Sequence, residues 1–214
     1  MAICSEVNIR QYSVWRLATG VIIKMTLKAV FLDRDGTINE QMGYINHLSR
    51  FRLLPGVAES IARLNSRNIP VFVVTNQSGL ARGYFPESLL DDVHELMTEL
   101  LAEKGAHVDG IYICPHHPEA KEEKYRLKCD CRKPGIGLFT RAAEEHGIDL
   151  HSSFVVGDRW SDLKAAAACG ATGVLVLTGY GRGDYDFIGP TQHIQPQYVS
   201  DNLSGAVDWI IKKI

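Results

Sequence analysis

Two aspartates one residue apart, Asp33 and Asp35, follow directly on the apolar run Ala29-Val30-Phe31-Leu32 and lead at once into Gly36-Thr37. A short apolar run closed by such a turn reads as a buried strand of a parallel sheet. Side chains alternate across a strand, so the two acids point the same way if the extended conformation persists past its end. The carboxyl end of a central parallel strand is where open α/β sheets place their ligands. Paired carboxylates there suit a bound hard cation, with one acid as nucleophile and the other transferring a proton. The plainer alternative is an Asp-Gly turn carrying solvated acids.

Three later segments offer what a phosphoryl group needs. A second apolar run, Val71–Val74, ends in Thr75-Asn76-Gln77-Ser78-Gly79, which supplies a hydroxyl and amide donors. Arg132-Lys133-Pro134 brings a compact positive charge in Lys133. Phe154-Val155-Val156-Gly157 runs into Asp158-Arg159-Trp160-Ser161-Asp162, which adds a further metal-binding carboxylate in Asp158. Between the second and third segments lie Cys114-Pro115-His116-His117-Pro118 and Cys129-Asp130-Cys131. Three thiolates and an imidazole in two close pairs match a closed, four-coordinate structural zinc site. Either His116 or His117 could complete it.

The elements that must position these groups alternate strand and helix. Strands are expected at 29–32, 71–75, 111–113, 153–157 and 173–177. Pro55-Gly56 opens a helix with Val57, Ile61 and Leu64 on one face. A longer helix starts at Pro86, carries Leu89, Val93, Leu96 and Leu100 as its apolar stripe, and stops at Gly105. A third runs from Gly135 to His146, and a fourth, capped by Ser161, runs to Gly170. Residues 181–200 read as a loop with at most one short strand. Leu203, Ala206, Val207, Ile210 and Ile211 make a final amphipathic helix. The loop at 115–131 is long for one without structure of its own, and a metal staple gives it a reason. The expected fold is α/β: a Rossmann-like three-layer α/β/α sandwich on a parallel central sheet, forming a single domain over 27–214. Residues 1–26 are expected to be a loosely ordered extension, or 1–24 an over-called start, with Met25 just ahead of the first strand.

The chain has 214 residues, enough for one good core. Its 23 Lys and Arg against 25 Asp and Glu give a net charge of −2, which leaves no basic footprint for nucleic acid. Five cysteines, three of them in the metal pattern and Cys4 and Cys169 spare, fit a reducing compartment. No apolar segment approaches the ~20 residues that span a bilayer. A cytoplasmic monomer acting on a small molecule is the expectation.

Taken in order, D-x-D-G-T at 33–37, the strand ending in Thr75, Lys133, and G-D-x-x-x-D at 157–162 resemble the four motifs of the haloacid-dehalogenase-like phosphohydrolases. The block C-P-H-H-P…C-D-C-R-K-P resembles the zinc-loop branch of that family, the heptose-bisphosphate and histidinol-phosphate phosphatases. The resemblance covers residues 28 to about 182. It implies a HAD-like fold without a large cap. It implies Mg2+ between Asp33, the Asp35 backbone carbonyl and Asp158, and structural Zn2+ on Cys114, His116, Cys129 and Cys131. Asp33 would be the nucleophile, forming an aspartyl-phosphate, and Asp35 the acid and then the base. Thr75, Asn76 and Lys133 would stabilise charge on the phosphoryl oxygens. The flap residues Gln41, Met42, Gly43 and Tyr44, together with Arg132, would contact the sugar and its second phosphate. Arg34, Gln77, Ser78 and Arg159 complete the expected substrate-binding set. Arg159 stands where the family often has Lys. Asp162 would support Lys133 or the metal. The expected substrate is a heptose 1,7-bisphosphate that loses its 7-phosphate on the way to nucleotide-activated heptose. Histidinol phosphate is the alternative, but the flap stretch lacks an acid for its ammonium, Glu40 being the nearest. A silent zinc-stapled interaction domain and a nucleic-acid-end phosphatase fit the intact acids and the near-neutral charge less well.

Overall fold

Strand and helix alternate through residues 27–214, the part of the chain that the computed structural model describes. The elements in order are β1 (Val30–Leu32), α1 (Val57–Asn65), β2 (Val71–Asn76), the short α2 (Ser78–Ala81), α3 (Glu87–Ala102), β3 (Gly110–Cys114), α4 (Gly137–His146), β4 (Phe154–Gly157), α5 (Trp160–Cys169), β5 (Thr172–Val176), the single turn α6 (Gly181–Gly183), β6 (Tyr198–Ser200) and α7 (Leu203–Ile211). The expected extension and Cys4 lie outside the described residues.

All six strands are parallel, in the order β3-β2-β1-β4-β5-β6. The chain builds outward from β1 through β2 to β3, then crosses back to β4 and builds the other way. Strand order therefore reverses at the β1–β4 pair, where Leu32 lies opposite Val156. This is the switch point at which open parallel sheets leave a crevice beyond their carboxyl ends.

The sheet is covered on both faces, and its strands obey the period-two rule. Val30, Leu32, Val71, Val73, Val156 and Val174 pack with α1, α3 and α7 on one face. Phe31, Phe72, Val74 and Val155 pack with α4 and α5 on the other. Phe31 is fully buried, edge-on to Phe139 of α4 at 5.3 Å and stacked on Phe72 at 5.5 Å. The result is the expected three-layer α/β/α sandwich.

Three details differ from the sequence reading. The buried positions of α3 are Leu90, Val93, His94, Met97 and Leu101, so the stripe is rotated from the one expected; Leu89, Leu96 and Leu100 form its half-buried edge. Ser161 does not cap α5, because the cap position falls two residues earlier, at Arg159. The Arg159 N–H donates to Asp162 Oδ2 (3.1 Å) and the Trp160 N–H to Asp184 Oδ2 (3.0 Å). Residues 181–200 hold more structure than a loop, since α6 runs on into further helical turns at Asp184–Ile188 and Gly189–Thr191 before β6. Local glycine and proline content hides those turns. Among the described residues no helix is long and apolar enough to cross a membrane.

Candidate active site

Asp33 is the first residue past β1, and its N–H donates to the Val156 carbonyl (2.9 Å) across the β1–β4 switch point. Asp158 is the first residue past β4. The Asp33, Asp158 and Asp162 carboxylates offer oxygens that all lie within 4.8 Å of one another. Lys133 enters from the turn before α4, 5 % exposed, with its Nζ 2.9 Å from Asp33 Oδ1, 2.6 Å from Asp162 Oδ1 and 2.7 Å from the Val74 carbonyl. The ammonium donates to the Val74 carbonyl and is ion-paired with both carboxylates. Burial pushes a lysine down, but the two touching carboxylates outweigh it and raise Lys133 above its ordinary range.

Three acids share this one cation, and the imbalance is visible in the protonation of Asp33 and Asp158. Burial raises Asp33 to about 6, with Lys133 pulling it down and Asp162 adding to the rise. Burial, then Asp33 and Asp162, raise Asp158 to about 8. Asp158 is fully buried; its Oδ2 accepts the Tyr180 N–H (2.8 Å), whereas its Oδ1 has no partner. A Cβ at either Gly36 or Gly179 would overlap this carboxylate, so both positions must be glycine, and both have positive φ. An orphan buried oxygen in a surplus of negative charge fits a hard divalent cation. Asp162 is more than a solvated helix acid, because it is 1 % exposed and ties Lys133 to the start of α5.

Asp35 is not placed by strand alternation. The strand ends at Leu32, and Asp35 lies in a turn bridged to Asn39. Its carboxylate accepts from Arg34 Nη2 (2.8 and 3.0 Å), Asn39 Nδ2 (3.0 Å) and Gln77 Nε2 (2.8 Å). Burial works against its charge, but the Arg34 guanidinium and these hydrogen bonds hold Asp35 below the usual carboxylate range. Asn39 is absent from the sequence reading, although an amide four residues past Asp35 was the available signal.

Several residues expected to face substrate are turned elsewhere. The Arg34 guanidinium is 1 % exposed and spent on Asp35 and on His94 of α3, so the expected substrate contact by this side chain is corrected to an internal one. Asn76 uses both ends of its amide on the Lys133 backbone, Nδ2 to the carbonyl (3.2 Å) and Oδ1 from the N–H (3.0 Å). Gln77 is shared between Asp35 and Thr75 Oγ1 (2.9 Å). Ser78, the first residue of α2, is half-buried.

The rim is more open. In the flap, Gln41 Oε1 accepts the Gly43 N–H (2.9 Å) and Arg50 holds the Met42 carbonyl (2.9 Å). Tyr44 meets Tyr84 edge-to-face at 4.7 Å beside α2. Arg159 is exposed, 3.3 Å from Asp184 and over the Tyr180 ring at 4.4 Å. Arg132 reaches only the His116 carbonyl (3.3 Å).

Cys114, at the end of β3, gathers the second cluster. His116 Nδ1 is 3.2 Å from Cys131 Sγ and 3.8 Å from Cys114 Sγ, and Cys114 lies 3.6 Å from Cys129 and 3.2 Å from Cys131. Four ligands at the usual zinc distances would stand about 3.6–3.8 Å apart. The spacing is therefore compatible with zinc after a small expansion. His117 is turned away, paired with Arg82 at 3.1 Å and accepting the Glu119 N–H (3.1 Å). Burial holds His116 below its ordinary range, in the neutral form that binds metals.

A protein-family model described as HAD-hydrolase-like matches residues 130–206. A D-glycero-beta-D-manno-heptose-1,7-bisphosphate 7-phosphatase of Escherichia coli is 44% identical over 190 residues, covering 88% of this chain and 91% of that one. The chain belongs to the D-glycero-beta-D-manno-heptose-1,7-bisphosphate 7-phosphatase family. Another member, from Photorhabdus laumondii, is 46% identical over 154 residues, 72% of this chain and 82% of its own. The crystal structure of a D,D-heptose 1,7-bisphosphate phosphatase from B. bronchiseptica, complexed with magnesium and phosphate, superposes with a TM-score of 0.78. It is 34% identical, and the match covers 88% of this chain and 100% of that one. Family and fold together make the chain a phosphomonoester hydrolase of the HAD-like type.

Proposed function

We propose that the protein removes the 7-phosphate of a D-glycero-D-manno-heptose 1,7-bisphosphate, the reaction named for its relatives, in the biosynthesis of nucleotide-activated heptose. The observation that carries the reading is the meeting of Asp33, Lys133, Asp158 and Asp162 at the switch point, with Asp158 Oδ1 left unpartnered.

Asp33 is the nucleophile, since it is the one acid of the group that stands at the strand end and is partly open to solvent. Its oxygen attacks phosphorus and forms an aspartyl-phosphate, so that one displacement becomes two easier ones. Asp35 gives a proton to the departing sugar oxygen and then takes one from the attacking water. Its low carboxylate range suits the second half of that task. The first half needs Asp35 to take up a proton from solvent as the dianionic substrate binds, because that charge beside it raises its affinity for one. Lys133 turns one of its protons from Asp33 to the equatorial phosphoryl oxygens as charge leaves the carboxylate. Thr75 adds a hydroxyl beside it. Asn76 acts by fixing the Lys133 backbone, and Asp162 by keeping the ammonium protonated and aimed.

Asp33, Asp158 and the Asp35 carbonyl would hold Mg2+, which when bound neutralises phosphoryl charge and keeps Asp33 and Asp158 ionised. Cys114, His116, Cys129 and Cys131 would hold Zn2+ and brace the turn that delivers Arg132 and Lys133. The flap from Gln41 to Tyr44, with Arg132 and Arg159, would meet the sugar and the phosphate that stays behind; two guanidinium forks suit an anion better than a cation. The near-neutral charge supports a small soluble substrate rather than nucleic acid or membrane, and the protein would act as a monomer in the cytoplasm.

Side-by-side kinetics on the α and β anomers of the heptose bisphosphate and on histidinol phosphate test the assignment. A kcat/KM at least about tenfold higher on a heptose bisphosphate is expected, a preference of about 1.4 kcal/mol in transition-state binding. A preference for histidinol phosphate would overturn it.

A further inference from the structure

Arg34 belongs to the first motif by position, yet its side chain points away from the opening of the site. Its fork has two edges. Nε and Nη2 face the Asp35 carboxylate, the closest contact being 2.8 Å. Nη1 lies 3.0 Å from Nε2 of His94, a residue on the middle turn of α3 that belongs to none of the four motifs. A guanidinium has no lone pair to offer, so His94 Nε2 is the acceptor and the ring carries its proton on Nδ1. Arg34 is 1 % exposed and His94 9 %. Burial and the adjacent guanidinium push His94 down to about 3, with Asp35 opposing weakly. The ring stays neutral, and the tautomer is set by its partner.

Asp35 needs such help. It lies past the end of β1, so no strand pairing fixes the plane of its carboxyl group. Asn39 and Gln77 each reach one oxygen, but only the Arg34 fork grips both. A fork free at its third nitrogen could swivel on a long side chain. His94 removes that freedom, and its own neighbours Val93 and Met97 are seated in the core beside β2.

We propose that His94 is a positioning residue for the leaving-group step: it clamps the Arg34 guanidinium and so aims the Asp35 carboxyl at the ester oxygen. The inference rests on the reading of Asp35 as the proton donor given above. In that step the P–O bond breaks, its electron pair stays on the sugar oxygen, and the Asp35 proton goes to that oxygen. An ester whose leaving group departs as a stable anion needs no such proton.

That difference supplies the test. Wild type, His94→Leu, His94→Asn and His94→Gln are assayed with Mg2+ on the sugar bisphosphate and on p-nitrophenyl phosphate, with folding checked by circular dichroism and melting temperature. His94→Leu should lower kcat on the sugar ester by about 10–100-fold with KM changed less than about threefold, the scale of a displaced acid catalyst. On p-nitrophenyl phosphate the single-turnover rate of p-nitrophenol release should stay within about threefold, since acid catalysis contributes little to that step. The later hydrolysis, which uses Asp35 as base, is common to both substrates, so leaving-group release in a single turnover is the rate compared on each. His94→Asn, too short to reach Arg34, should behave alike and serves if the leucine variant does not fold. His94→Gln, whose side-chain oxygen can accept from Arg34, should restore the sugar-ester rate. Parallel loss of the single-turnover leaving-group rate on both substrates, or no loss on either, overturns the clamp. Asp35→Asn separates the two failures: it should show a larger loss of the single-turnover leaving-group rate on the sugar ester than on p-nitrophenyl phosphate, with steady-state turnover lowered on both through the lost base. Without that difference the role of Asp35 as acid falls. A selective loss in Asp35→Asn but not in the His94 variants rejects His94 alone.

Discussion

Replacing Lys133 by methionine keeps the length of the side chain and removes its charge from between Asp33 and Asp162, which it touches at 2.9 and 2.6 Å. Both carboxylates are largely buried, and the nearby Asp158 is wholly so. Removing one partner of a buried ionic group costs about 3–5 kcal/mol. For a domain of this size each kcal/mol moves the melting temperature by about 2–4 °C, so a fall of about 6–20 °C is expected at pH 8 without Mg2+. The sign of the pH dependence is fixed. Without the ammonium, Asp33, already raised by burial, rises further in the folded state, which then binds more protons than the unfolded chain above pH ~4. The variant's deficit should therefore shrink as pH falls toward 5, where Asp33 and Asp158 are neutral, and grow toward 8. Turnover should fall by ~10²–10³, as for loss of one charge-stabilising group. Melting curves from pH 5 to 8, paired with steady-state kinetics, read both effects. An unchanged melting temperature at pH 8 together with turnover near that of wild type would refute the reasoning.

Mg2+ binding should release protons, because Asp158 is raised to about 8 and Asp33 to about 6 before the cation arrives. Affinity measured by titration calorimetry should climb by up to about tenfold per pH unit between 6 and 8, with an enthalpy that depends on the buffer; a pH-independent affinity would contradict this. Zinc should be present at one ion per chain, and Cys131→Ser should lower it, open the 115–131 loop to protease and reduce kcat, since Lys133 lies two residues on. Full activity without zinc would count against the brace. Asn76→Ala strands the Lys133 N–H and should cost about 1–3 kcal/mol of stability, with kcat falling more than KM rises. A raised KM at unchanged kcat would instead make Asn76 a direct substrate contact.

The parts of this molecule that were legible in its sequence are those in which local pattern and tertiary place coincide. Apolar runs ending in Asp33, Thr75 and Asp158 are strands because the sheet is covered on both faces, and their ends meet because parallel strands point one way. The meeting of Cys114 with Cys129 and Cys131 likewise needs only a loop that folds back, whereas the choice of His116 over His117 rests on the family resemblance. Side-chain direction was not legible. Asp35 beside it holds one edge of the Arg34 fork, but the partner of the other edge, His94 on the buried face of α3, lies sixty residues on along the chain. Asn76 and Gln77 read as donors to substrate because an amide is a donor anywhere, but Lys133 and Asp35 arrive first. The cap of α5 was missed for a similar reason: Asp184, which accepts the Trp160 N–H, comes from a turn that glycines made look like loop. The stripe on α3 was displaced because half-buried leucines outnumber the buried ones, and the neutral, buried His94 counts as polar in any periodicity.

The claim on which the account depends is that the Asp33 carboxylate itself takes up the phosphoryl group. Rapid acid quench during turnover on the heptose bisphosphate with Mg2+, followed by borohydride reduction and peptide mass analysis, tests it directly. The expected result is a phosphorylated Asp33 that borohydride converts to homoserine at that position and nowhere else, with no such product from Asp33→Asn. Phosphate release at the wild-type rate by Asp33→Asn, or an acyl phosphate found on a different acid, would contradict it.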